Sequence, residues 1–193
     1  PSSALTNAGT TTISLSSVVT SASGCTTTIT PGTITDSFVI TALPNVTGGT
    51  NSVAVTEPLC LGSNGTVTFN ASAMANGTYN IAYTLSGANA STQTASGVVV
   101  ASGTGTFTIP SSALTNAGTT TISLSSVVAS ASGCTTTITP GTITDSFVIT
   151  ALPNVTGGSY SISVAEPICL GSNGTVTFNA SALTNGPYNI SYT

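Results

Sequence analysis

The chemically reactive side chains of this 193-residue chain are few: the carboxylates of Asp36, Glu57, Asp145 and Glu166 and the thiols of Cys25, Cys60, Cys134 and Cys169, with no Lys, Arg or His anywhere. General acid and base catalysis relies on His, Lys or a carboxylate pair with separated pKa values, and phosphate or nucleic-acid recognition relies on cations. Neither set is present, so the expectation is no enzyme, no catalytic residues, no cofactor and no nucleic-acid partner. Calcium asks for several carboxylates per ion, whereas Asp36 and Glu57, with their counterparts Asp145 and Glu166, are isolated; solvated or turn-capping carboxylates are expected instead. The cysteines form no CxxC pair and no His completes a zinc site, so no metal is expected. Disulfides in an oxidising, extracellular compartment are the better reading.

The elements that must hold these residues are written in a repeat. Residues 1–84 align without a gap on residues 110–193, an offset of 109, with 73 of 84 positions identical and differences such as Thr20/Ala129, Asn51/Tyr160, Met74/Leu183 and Thr78/Pro187. A 109-residue period exceeds that of solenoid units and suits one autonomous β-sandwich domain. The pairs Gly48-Gly49 and Gly157-Gly158 mark linkers. One complete domain is therefore expected at 50–158, flanked by the C-terminal half of a repeat at 1–49 and the N-terminal half of the next at 159–193.

Within the complete repeat, Val67, Phe69 and Ala71 alternate with Thr66, Thr68 and Asn70, and Tyr79, Ile81, Tyr83 and Leu85 continue the period of two. Further strands are expected at 52–56, 92–101, 105–109, 119–126 and 142–152. Seven strands give an all-β fold, tandem immunoglobulin-like β-sandwich domains arranged end to end. Turns are expected at Ser63-Asn64-Gly65, Asn76-Gly77 and Thr139-Pro140-Gly141-Thr142, and a single helical turn within Ser111–Gly118.

The surface replaces charge with hydroxyls: 29 Ser and 40 Thr leave a formal net charge of only −4. No stretch reaches the roughly 18 apolar residues of a membrane span, and Pro1 does not open a signal peptide. Nine Asn-x-Ser/Thr triplets, at Asn45, Asn64, Asn70, Asn76, Asn89, Asn154, Asn173, Asn179 and Asn189, arise freely in such a composition and are read as turn or strand asparagines.

The cysteines leave two pairings open. Joining Cys25 to Cys60 would bond across a domain junction. Joining Cys60 to Cys134 keeps the bond in one domain. Five strands between them would nevertheless place them at opposite poles unless one strand fails to cross or Cys60 lies on a long first strand near the last hairpin. A self-contained domain favours Cys60 with Cys134, leaving Cys25 and Cys169 to partners outside residues 1–193.

The runs Glu57-Pro58-Leu59-Cys60-Leu61-Gly62, Gly65–Phe69, Asn76–Gly87, Gly105–Pro110 and Ser132-Gly133-Cys134 resemble the tandem repeats of giant cell-surface adhesins of Bacteroidota, among them SprB-like gliding-motility adhesins. The resemblance covers the whole chain. It implies an extracellular filament on the bacterial cell surface, exported by type IX secretion and supporting adhesion and gliding motility, with the repeats as stalk. Its implied partners are neighbouring repeats of the same chain or filament and external surfaces. The competing expectation is a carbohydrate- or ligand-binding module repeated along a surface protein. The Tyr and Phe side chains fall on the core face of the alternation, which leaves little aromatic platform for a glycan. The exception is Tyr160, whose counterpart is Asn51.

Overall fold

A computed structural model describes residues 5–193, so the first four residues of the expected 1–49 half-repeat lie outside the described residues. The fold is all-β; the described residues hold fifteen strands and one 3-10 turn, Ser111–Ala113. The chain divides into two compact units, Pro1–Ile149 and Thr150–Thr193.

The first unit opens with two small hairpin sheets. β1 (Gly9–Ser14) pairs antiparallel with β4 (Thr35–Ile40), and β2 (Ser17–Val19) with β3 (Thr26–Thr28). The main sheet is built from β5 (Asn51–Val55), β6 (Leu59–Cys60), β7 (Gly65–Ala71), β8 (Gly77–Gly87), β9 (Ser91–Ala101), β10 (Thr104–Ile109), β11 (Gly118–Ala129), β12 (Thr135–Thr137) and β13 (Thr144–Thr150). Its hydrogen-bonded order is β5-β7-β10-β9-β8-β11-β13-β6, with β12 branching from β11. The seven strands read from the alternation are all present. The sequence reading missed β6 and β12, two and three residues long, because such short strands carry no alternation of their own.

The period of two decides which side of each strand is buried. Val67, Phe69 and Ala71 on β7, Tyr79, Ile81, Tyr83 and Leu85 on β8, Ile122 and Leu124 on β11, and Phe147 and Ile149 on β13 form one core. Phe69, Ile81, Ile109 and Ile122 are fully buried. Full burial of each such side chain is worth about 1.5–3 kcal/mol. The Tyr83 and Phe107 rings pack at a 5.4 Å centroid distance and 37° tilt, within the range of favourable aromatic pairs.

Local geometry follows from turn chemistry. Ala101 pairs with Thr104, and the two residues between them, Ser102 and Gly103, have φ of 50° and 75°. Positive φ at both central positions of a two-residue hairpin matches the right-handed strand twist. A Cβ on Gly103 would lie 2.8 Å from Ser72 Cα, so only glycine fits there. The Glu57–Pro58 peptide bond, between β5 and β6, is cis.

The second unit holds β14 (Tyr160–Val164) paired antiparallel with β15 (Val176–Ala180). Its strands repeat those of β5 and β7, yet Ile162, Val164, Val176 and Phe178 are exposed where Val53, Val55, Val67 and Phe69 are buried. The same holds for the opening segment: Ile13, Phe38 and Val18 are exposed, while their repeat counterparts Ile122, Phe147 and Val127 are buried.

Candidate functional site

The two carboxylates of the complete repeat are structural. β5 and β13 are far apart along the hydrogen-bonded path, but the sheet curls until these strands face one another. There the Val55 backbone N–H donates to Asp145 Oδ2 at 2.8 Å, and the Val148 N–H donates to Glu57 Oε1 at 2.6 Å. Each carboxylate thus satisfies an amide that no strand ladder reaches, and β6 then continues beside β13. Strand edges with unpaired amides are sites of unwanted pairing, and these two charges cover one such edge. Among the described residues Asp36, the counterpart of Asp145, accepts from the adjacent Ser37 N–H at 2.9 Å.

Several of the sequon asparagines tie one loop to another or close their own turn. Asn64 Oδ1 accepts from Ser111 N at 2.7 Å and Asn76 Oδ1 from Ser102 N at 2.8 Å. Asn45 Oδ1 receives the Thr47 and Gly48 amides at the linker, and Asn154 receives those of Thr156 and Gly157. Asn89, 3% exposed, donates to the Asn116 carbonyl and the Thr120 hydroxyl and accepts from Asn116 N, all at 2.9 Å. Buried polar groups are tolerated when partnered in this way.

The cysteines are distributed over the two ends of the repeat. Val55 meets Asp145 and Glu57 meets Val148, so the two segments advance in the same direction and Cys60, on β6, falls where β13 ends. Cys134 lies in the turn from β11 to β12, with its thiol 3.9 Å from the Thr41 carbonyl. Gly118 pairs with Ile149 at one end of β11 and Val128 with Thr135 at the other. The ten residue steps from Gly118 to Val128 span about 30 Å. The structure therefore does not bring Cys60 and Cys134 together: a disulfide needs Cα atoms within about 7 Å. β6 is short and pairs with β13, so it does not carry Cys60 toward the turn from β11 to β12. Cys25, Cys60, Cys134 and Cys169 are all free thiols.

Two surfaces of the complete repeat are candidates for ligands. A cleft of about 440 Å³ opens where β9 departs from β10, lined by Tyr83, Gln93, Gly97, Thr106 and Phe107 among others. Its two strands pair with each other only at Thr104–Ala101 and Gly105–Val100. The aromatic rings are buried in its floor rather than displayed, with Tyr83 1% and Phe107 8% exposed. Burial pushes the Tyr83 hydroxyl above the ordinary tyrosine range by desolvation.

The outward face of β5, β7 and β10 is a neutral grid. Ser52, Asn70 and Thr104 share one row, and Ala54, Thr68 and Thr106 the next. Asn70 donates to Ser52 Oγ at 3.2 Å and accepts from Thr104 Oγ1 at 3.1 Å. Among the described residues, no helix is long and apolar enough to cross a membrane. Comparison with known proteins gives no match, whether with family models, curated proteins or solved structures.

Proposed function

We propose that residues 50–158 form one immunoglobulin-like sandwich in a tandem array, and that the array is the stalk of an extracellular filamentous adhesin on a bacterial surface. The observation that supports this reading is that the strands from β5 to β13 form one nine-stranded sheet over a single core in a sequence that repeats every 109 residues. A core drawn almost wholly from residues 50–158, with Val46 of the preceding segment packed into it, suits a series of beads. The resemblance to the repeats of SprB-like gliding-motility adhesins supplies the cellular setting: type IX export, surface display and a contribution to adhesion and gliding.

The surface chemistry suits a spacer. A chain without Lys or Arg offers trypsin-like proteases no cleavage residue, and few charges leave little Coulombic force for salt to screen. Adhesion then resides in a tip or in weak multivalent contacts along the hydroxylated face. The alternative, a glycan-binding module in each repeat, is less well supported because Tyr83 and Phe107 pack into the core.

In-frame deletion of several repeats tests the reading. A shorter filament that still exports and adheres supports the spacer. Loss of adhesion with normal display, or saturable micromolar binding of a defined glycan to one repeat, transfers the function to the binding module.

A further inference from the structure

We propose that consecutive repeats are joined by a disulfide across their junction, between the Cys60-type cysteine of one repeat and the Cys134-type cysteine of the next. The inference rests on the tandem-array reading, but its evidence is separate.

The first observation is the end at which Cys60 lies. The progression from Val55–Asp145 to Glu57–Val148 carries it to the end where β13 closes at Thr150. The second is the environment of Cys134. Its thiol lies 3.9 Å from the carbonyl of Thr41, and the nearby Thr136 hydroxyl donates to the Pro44 carbonyl at 2.7 Å. Thr41 directly follows β4, and it is the repeat counterpart of Thr150. Cys134 therefore rests on the segment that leaves the last strand of the preceding repeat, the end at which that repeat carries its own Cys60-type residue.

Each such bond joins cysteines of adjacent repeats. The partner of Cys134 lies 109 residues before Cys60, and the partner of Cys60 lies 109 residues after Cys134; both positions fall outside residues 1–193. Cys169 and Cys25 are in the same situation. Bond formation is an ordinary exchange. One thiolate attacks a disulfide-bearing exchange protein, the second thiolate displaces the mixed disulfide, and the exchange protein leaves as a dithiol carrying the two electrons and two protons. The product would tie successive beads at a point beside the linker and restrict their bending.

The test compares two molecules. The 193-residue chain, held dilute in a glutathione redox buffer, should keep four alkylatable thiols. The intact filament protein, alkylated before any reduction, should show almost none in its interior repeats. After limited cleavage in the Gly-Gly linkers, adjacent repeats of the filament should stay joined until a reductant is added. A Cys60–Cys134 bond in the 193-residue chain, unmodified thiols throughout the filament, or separation of repeats on cleavage without reductant would overturn the proposal. The array itself is judged independently by the axial spacing of the filament, so failure of the bond and failure of the stalk reading are distinguishable.

Discussion

Asp145 Oδ2 accepts the amide proton of Val55 at 2.8 Å across 90 residues of sequence. The reciprocal bond from Val148 to Glu57 spans 91. Two of only four carboxylates in the chain therefore hold the first strand of the repeat to its last. Removing Asp145 leaves the amide of the buried Val55 without its partner. Asp145→Ala is expected to destabilise by about 1–2 kcal/mol, and Asp145→Asn by less because an acceptor oxygen remains. Urea denaturation should show a lower midpoint with an unchanged slope.

Repeat symmetry provides a comparison of one residue in two settings. Phe69 is fully buried in the core, whereas Phe178, its exact counterpart, is 38% exposed. Phe69→Ala should cost about 3–5 kcal/mol. Phe178→Ala should change the unfolding of the first unit by less than about 0.5 kcal/mol. Equal effects would mean that the two segments share an environment.

Hydrogen exchange should separate the same pairs without any substitution. The amides of β7, β11 and β13 lie in the main sheet over a filled core, while those of β1, β4, β14 and β15 belong to two-stranded sheets. Isolated two-stranded pairings are marginal in water. Their amides are expected to exchange at least about tenfold faster than their counterparts in the main sheet.

Tyr83 contributes to the alkaline side of the stability profile. Its folded-state pKa is raised by burial, so its contribution to stability is complete below the ordinary tyrosine value of about 10 and is lost as pH rises through the higher folded value. Stability measured by denaturant titration should decline over that alkaline interval. Tyr83→Phe should flatten the decline.

The sequence displayed the strands because alternation is a property of single residues. Val67, Phe69 and Ala71 declare their face without knowledge of any partner, and the 109-residue repeat is visible by alignment alone. The seam was not legible. Nothing in Glu57-Pro58 indicates which amide Glu57 will reach, since Val148 becomes its neighbour only after the sheet has curled. The placement of the cysteines was not legible for the same reason: only the register of β11 against β13 shows which end of the sheet each of Cys60 and Cys134 occupies. The asparagines gave a fainter signal. Asn45 and Asn154 recur with their Gly-Gly linkers, which marks a turn, whereas the bond from Asn64 to Ser111 spans 47 residues and leaves no local trace.

The central claim is tested most directly by the axial spacing of the filament in electron micrographs. Strands of about 8 to 10 residues at about 3.3 Å per residue span roughly 30 Å, so each 109-residue repeat with its linker should add on the order of 40 Å. A string of beads with one bead of that spacing per repeat, shortening in proportion to the number of repeats deleted, is the predicted result. A compact globule, or an axial period unrelated to the number of 109-residue repeats, would contradict the account.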